Sequence, residues 1–337
     1  MRMQRIKIFL LFSLAFMSVN GFAQEKKVKP DSTFQIKKLT ESDLSVLFSY
    51  YQQDGNNSHV TGGLGTELLT DLTSKIIINL VLDDKNTISI DGGFDLYSSA
   101  STDNIDDFVS SASSKGKRIH SNFGYSRKAK NNVTWGLKVG GSTEYDYNSL
   151  QLSGYVSKTS NDGNRTFGLS AQAFIDKWEI IYPSELRTQQ WVTTDQRRSY
   201  SVSASFSTVI NKRMQASISA DIVTQSGLLS TPFHRVFFTN QTAARVERLP
   251  FYRLKIPVGL RFNYYINDFL LLRSYYRFYR DDWGITGHTF SLEAPVKINR
   301  FFSVYPFYRF HSQSEANYFA PFGEHTGEFQ YYTSDYD

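Results

Sequence analysis

Residues 251–280 read FYRLKIPVGLRFNYYINDFLLLRSYYRFYR, and the period of that stretch decides the fold class. Every second residue from Leu254 is apolar or aromatic: Leu254, Ile256, Val258, Leu260, Phe262 and Tyr264. Between them stand Arg253, Lys255, Pro257, Gly259, Arg261 and Asn263. After a break at Ile266-Asn267-Asp268 the alternation resumes, with Leu270, Leu272, Tyr276 and Phe278 on one side and Arg273, Tyr275, Arg277 and Tyr279 on the other. Strand side chains alternate between two faces, so this is a hairpin with one apolar face and one polar, cationic face. A soluble sheet covers an apolar face with a second layer, yet no helical pattern elsewhere in the chain supplies one. Lipid takes that place when a sheet closes on itself and leaves no unpaired edge.

The same period of two runs outward in both directions. Leu44, Val46, Phe48 and Tyr50 alternate with Ser45, Leu47, Ser49 and Tyr51, and Ile76, Ile78, Leu80 and Leu82 follow. Ile88, Ile90, Phe94 and Leu96 stand opposite Ser89, Asp91, Asp95 and Tyr97. Further strands are predicted at 119–127, 133–144, 150–157 and 167–176. A serine ladder, Ser201, Ser203, Ser205 and Ser207, is followed by a strand that sets Gln215, Ser217, Ser219 and Asp221 against Met214, Ala216, Ile218, Ala220 and Ile222. Phe290, Leu292, Ala294 and Val296, then Phe302, Val304, Tyr308 and Phe310, complete the set. The count is about thirteen, each long enough for a tilted membrane strand.

Connections alternate in length. Short breakers fall at Asp84-Lys85, Asn131-Asn132, Asn161-Asp162-Gly163, Asn211-Lys212, Asn267-Asp268 and Asn299-Arg300, as tight hairpins require. Longer connections are expected at 52–72, 100–118, 177–198, 225–250 and 312–327, with two short exceptions near Asp146 and Asp281. Short inner turns and long outer loops describe an outer-membrane barrel. Trp135, Trp178 and Trp283 fall near predicted strand ends, where interface girdles place aromatics. A soluble β-sandwich is the alternative, but it would rarely need so many outward aromatics.

The N-terminus fits export. Arg2, Arg5 and Lys7 precede an apolar core from Ile8 to Phe16, and Gly21-Phe22-Ala23 offers a cleavage site before Gln24. Residues 1–23 are therefore read as a signal peptide, 24–43 as a charged, flexible periplasmic lead-in and 44–337 as the barrel. The chain has no cysteine, which excludes a lipoprotein anchor, disulfides and thiolate chemistry. Removing the three leader cations lowers the formal charge from +5 to about +2, no signature of nucleic-acid binding. Outer-membrane barrels end on a strand that closes against the first. This chain stops at Tyr336-Asp337 within a polar stretch, so its closing strand or strands are expected to be missing.

Two runs in the first outer connection carry a resemblance. Tyr50 to Ser58 reads Tyr-Tyr-Gln-Gln-Asp-Gly-Asn-Asn-Ser, and Thr61 to Glu67 reads Thr-Gly-Gly-Leu-Gly-Thr-Glu. Together with Ser98–Asp103, Tyr318–His325 and Tyr332–Asp337, they resemble an outer-membrane family, the domain of unknown function numbered thirty-five seventy. The resemblance covers the chain from about Tyr50 onward and implies a signal peptide and a chain that continues past this point. It implies no activity, substrate or catalytic residue.

The candidate sites come from the residues themselves. Asp54, Asn56, Ser58, Glu67 and Asp71 are hard oxygen donors that calcium would accept, although their spacing matches no EF-hand. The other reading is a glycine-rich loop that simply packs in the barrel mouth, since no Lys-Ser/Thr terminus or following helix makes it a phosphate loop. Asp103, Asp106 and Asp107 read as a solvated loop. The six histidines show no metal-ligand spacing. His120-Ser121 cannot form a nucleophile–base pair, because neighbours on a strand point to opposite faces. A cationic wall is the most informative feature. Arg253, Lys255, Arg261, Arg273, Arg277, Lys297 and Arg309 share the polar parity of four successive strands, with Glu293 opposing them and Asp91, Asp95 and Asp221 inward-facing elsewhere. A three-residue turn at Ile266–Asp268 would set Arg261 across from Arg273.

The expectation is an all-β, antiparallel transmembrane β-barrel of the outer membrane, with about 13–16 strands. It would meet the lipid bilayer and the barrel-insertion machinery and take no nucleic acid. Its function is read as a porin-like channel for small anionic solutes past a basic, tyrosine-rich lumen. The alternatives are a plugged barrel with a structural, assembly or partner-binding role and, last, a barrel enzyme. No cofactor is expected beyond the structural calcium weighed above.

Overall fold

The computed structural model describes residues 41–56, 58–65, 67–98, 115–327 and 329–336. The expected signal peptide, nearly all of the lead-in and the acidic triplet Asp103, Asp106 and Asp107 lie outside the described residues. The chain forms one large antiparallel sheet, and the fold is all-β. Its strands are β1 (Asp43–Gly55), β2 (Glu67–Val81), β3 (Asn86–Ser98), β4 (Lys115–Lys128), β5 (Val133–Thr143), β6 (Tyr147–Thr159), β7 (Arg165–Glu179), β8 (Thr194–Asn211) and β9 (Met214–Gly227). After a two-residue pair of strands, β10 (Arg235–Val236) and β11 (Arg245–Val246), come β12 (Tyr252–Asn267), β13 (Leu270–Asp281) and β14 (Thr286–Glu293). Two short pieces, β15 (Val296–Lys297) and β16 (Ser303–Val304), precede β17 (Phe307–Gln313).

Each long strand pairs with the next, in the order β1 to β9, then β12, β13, β14 and β17. Most tight turns gather at one end of the sheet, where the longer β14–β17 connection (294–306) also lies, and the long connections gather at the other, beside short ones at 144–146 and 282–285. At the turn end, Asn131 and Asn132 adopt φ of 59° and 57°, the left-handed pair that a two-residue hairpin needs. Gly227 closes β9 at the loop end with φ of +100°, where a Cβ would lie 1.8 Å from the Gln196 carbonyl oxygen. The edges β1 and β17 both run from turn end to loop end, so they cannot pair with each other in antiparallel fashion.

The two faces differ in chemistry and in exposure. On the apolar face Leu137 is 59% and Ile222 57% exposed, while on the polar face Asp91 is 7% and Asp176 5% exposed. Charge brackets the apolar face at both ends. On β7, Arg165 and Lys177 enclose Phe167, Leu169, Ala171, Ala173 and Ile175; on β4, Lys117 and Arg127 enclose Ile119, Phe123 and Tyr125. From Phe167 to Ile175 is roughly 26 Å along the strand.

Several strands outrun the hydrophobic pattern. The expected connections at 52–72 and 177–198 shrink, because β1 continues to Gly55, β2 begins at Glu67, β7 runs to Glu179 and β8 begins at Thr194. The extensions of β1 and β8 are polar on both faces (Gln52, Gln53, Asp54; Thr194, Asp195, Gln196), so ladder hydrogen bonds hold them where no alternation marks them.

The buried hydrophobic residues sit almost entirely at the loop end. Trp178, Ile180, Tyr182, Leu186, Leu228 and Val246 form one cluster, Leu229, Leu249 and Trp283 a second, and Val236, Phe238 and Tyr332 a third. Two tryptophans expected in an outward girdle therefore belong to this core: Trp178 lies on the polar face and Trp283 is fully buried. Trp135 alone of the three is on the apolar face, edge-on to Tyr125 at 5.7 Å.

Candidate functional site

Register builds the basic wall from two adjacent cross-strand rows on the polar face. One row is Arg261, Tyr275, Ser291 and Arg309, across β12, β13, β14 and β17. The row nearer the turns is Asn263, Arg273, Glu293 and Phe307. Arg277 follows on the loop side between Gly259 and Thr289, and Lys255 stands opposite Asp281. Lys297 is apart from them, on β15 against Ser303.

The expected pairing of Arg261 with Arg273 does not occur. The turn falls at Asp268-Phe269 rather than at Ile266–Asp268, and with a bulge between Tyr265 and Asn267 it sets Arg261 opposite Tyr275 and Arg273 opposite Asn263. The like-charge clash is thereby avoided. Arg261 lies 5.4 Å from the Tyr275 ring centroid, a cation–π contact, and Arg273 Nη1 bonds Glu293 Oε1 at 3.3 Å. Among the described residues no carboxylate pairs with Arg261, Arg277 or Arg309. That leaves three guanidinium charges without an acidic partner on neighbouring strands.

Arg253 is different. Its Nε and Nη2 reach Asp281 Oδ2 at 2.9 and 2.5 Å, and its guanidinium lies 4.2 Å from the Trp283 ring centroid and 5.0 Å from that of Tyr336. The other Asp281 oxygen accepts the backbone N–H groups of Trp283 and Ile285, each at 3.0 Å. Arg253 thus anchors loop to sheet rather than standing free in a wall. Sequence reading missed this because Asp281 had been placed in a connection, whereas it ends β13.

The acidic residues on β3 are also neutralised. Asp91 takes Lys138 Nζ at 2.6 Å, Asn122 Nδ2 at 2.8 Å and Lys75 Nζ at 3.6 Å. Asp95 lies 3.9 Å from both Arg118 and His120 Nδ1, and Arg118 is also 3.8 Å from Glu144. Lys138 was legible, since it alternates with Leu137 and Val139, but Arg118 fell just outside the predicted strand. Asp221 is on the polar face opposite Ser203. His120 and Ser121 take opposite faces: His120 stands across from Ser142, Ser121 across from Gly141.

Of the oxygen donors weighed for calcium, Asp54 and Asp71 are not brought together. Asp54 faces Leu68 on the apolar side of the β1–β2 hairpin, while Asp71 faces Tyr51 on the polar side and accepts from the Thr73 hydroxyl at 3.0 Å. Asn56 is exposed and Ser58 is fully buried in the loop, and the Glu67 side chain lies outside the described residues. Among the described residues no three acidic or histidine side chains gather as metal ligands. The glycine-rich run packs against the other loops instead. Arg235 donates from Nη1 to the Val60 carbonyl at 2.7 Å and from Nε to Glu185 at 2.6 Å, joining three connections.

A buried carboxylate and a buried histidine complete this loop assembly. Glu247, 1% exposed, accepts the Thr231 N–H at 2.5 Å and the Thr333 hydroxyl. His325 Nε2 donates to the Thr333 carbonyl at 3.0 Å, and burial lowers its pKa below the usual histidine range, so the ring is neutral near pH 7. Burial, with the charges of Glu247 and Asp335, pushes the Tyr336 hydroxyl up to about 12.

Comparison with curated proteins finds no match. A family model does match, over residues 97–337, and its description is "Protein of unknown function (DUF3570)". The match excludes the runs at 50–58 and 61–67 and includes Tyr318–His325 and Tyr332–Asp337. It spans well over half of the chain, and the protein belongs to the DUF3570 family.

Proposed function

We propose that this protein is an outer-membrane β-barrel whose apolar face meets lipid and whose polar face passes small anionic solutes along the basic strands β12 to β17. The observation that carries the membrane reading is the inverted burial: leucines and isoleucines exposed, aspartates covered, and cations bracketing the apolar band. Water would not stabilise so much exposed apolar surface, whereas hydrocarbon would. The anionic preference rests on Arg261, Arg277 and Arg309, for which charge rings in pores are the physical parallel. Export by a cleaved signal peptide and assembly by the barrel-insertion machinery belong to the same proposal.

A second reading has its own observation. The loop-end core places packed side chains over the polar face near Trp178, Leu228 and Trp283, as a plugged barrel with a partner-binding outer surface would. No catalytic role is proposed. Planar-bilayer conductance separates the readings. The channel reading expects anion-selective conductance, with a selectivity ratio that falls at least about threefold when Arg261, Arg277 and Arg309 all become Gln. Silent bilayers with correctly folded protein would favour the plugged barrel, and strong cation preference would contradict the anion reading.

A further inference from the structure

The two basic rows enclose a cleft of about 420 Å³ on the polar face. Arg261, Arg273, Tyr275, Ser291, Glu293 and Phe307 line it, and Arg309 on β17 pairs with the lining residue Ser291. Charge within the two rows is uneven. Glu293 offsets Arg273, which leaves Arg261 and Arg309 at opposite ends of one row with Tyr275 and Ser291 between them. Three inter-strand steps put their Cα atoms about 14 Å apart, and two extended guanidinium side chains can both reach the centre. Phe307, in the adjoining row on β17, is 63% exposed. The site therefore combines cations suited to forked contact with a carboxylate, a hydroxyl and two aromatic rings. Its volume is that of a small-molecule site rather than of a bare ion.

We infer that this cleft is a binding station for an organic anion with a planar, apolar body, of which an aromatic carboxylate is the simplest case. A guanidinium holds the carboxylate, Ser291 donates a further hydrogen bond, and the ring of the solute lies against Phe307 or Tyr275. This deepens the proposal that the polar face is solute-facing, and it distinguishes a station from a diffuse field. A diffuse field attracts inorganic anions as readily as organic ones.

Titration calorimetry on the full chain in detergent tests it, with benzoate, cyclohexanecarboxylate, acetate and inorganic phosphate as probes at one ionic strength. Saturable benzoate binding is expected, tighter than cyclohexanecarboxylate and much tighter than acetate. Arg261→Gln with Arg309→Gln should weaken benzoate at least tenfold, and Phe307→Leu should narrow the gap between benzoate and acetate. Arg261→Lys, which keeps the charge but loses the fork, should still weaken binding severalfold. Arg261, Phe307 and Arg309 are all exposed, and unchanged heat-modifiable migration in gels will show that the variants fold. Absence of saturable benzoate binding, equal affinity for phosphate, or indifference to the arginine pair overturns the station. Benzoate binding without conductance keeps the station and removes the channel, whereas conductance without benzoate binding does the reverse.

Discussion

Replacing Asp281 by alanine should destabilise the folded protein by about 3–5 kcal/mol, the usual cost of stranding one partner of a buried ion pair. The Asp281 side chain has no exposed surface, and it receives Arg253, the Tyr279 hydroxyl and two backbone N–H groups. Its loss leaves the Arg253 guanidinium buried without a counter-charge, with the Tyr279 hydroxyl at 3.3 Å and the Trp283 and Tyr336 rings beside it. Two backbone N–H groups of the short β13–β14 connection also lose their shared acceptor. Equilibrium urea unfolding in lipid vesicles measures the effect. The paired change Arg253→Leu with Asp281→Leu should recover a large part of the loss, because it removes the stranded charge as well. A deficit below about 1 kcal/mol for Asp281→Ala would mean that the loop end is not held by this pair.

Charge on the apolar face should be nearly as damaging. Leu260→Arg or Phe262→Arg places a guanidinium in the middle of the exposed apolar band, where the expected cost in a bilayer is about 2–4 kcal/mol. Ser203→Arg puts the same charge on the polar face, opposite Ser170 and beside Asp221, and should cost far less. The comparison controls for side-chain size and strand propensity, since all three positions are in long paired strands. Folding assays in vesicles that show equal tolerance at Leu260 and Ser203 would reverse the assignment of faces.

How much of this was legible depends on what fixes each element. Alternation found the strands because a sheet with one apolar face must keep a period of two; the breakers found the turns because Asn131, Asn132 and Gly163 take left-handed φ while Asn211, Asn267 and Asn299 accept hydrogen bonds from the turn backbone. Strand ends were less visible. Beyond the apolar band, Gln52 to Gly55 and Thr194 to Arg197 hold their ladder by backbone hydrogen bonds alone, which leave no mark in side-chain chemistry. The tryptophans were misplaced for a related reason. Position near a strand end looks the same for Trp135, on the apolar face, and for Trp178, which turns inward beneath the loops, until register is known.

The candidate site shows the same division. The parity of Arg253, Lys255, Arg261, Arg273, Arg277 and Arg309 followed from counting, but their pairing did not. A turn at Asp268-Phe269 instead of Ile266–Asp268, together with the bulge at Tyr265/Asn267, moved Arg273 from Arg261 to Asn263 and turned a supposed repulsive pair into a cation–π contact and an ion pair. The loop assembly around Arg235, Glu247 and His325 had no sequence signal, because its contacts join segments separated by up to 175 positions. Of the oxygen donors weighed for calcium, Asp54 and Asp71 occupy opposite faces of one hairpin, a separation that parity alone carries.

The central claim is that lipid covers the apolar face, and cysteine scanning along β7 tests it most directly. The chain contains no cysteine, so each single replacement from Phe167 to Ile175 reports one position only. A fluorophore on each cysteine, in protein assembled in vesicles, is challenged with brominated lipid and with aqueous iodide. The account predicts strict alternation: quenching by brominated lipid at Phe167, Leu169, Ala171, Ala173 and Ile175, and its absence at Gly168, Ser170, Gln172 and Phe174. Uniform iodide access at all nine positions, or lipid quenching at the even-numbered set, would contradict it.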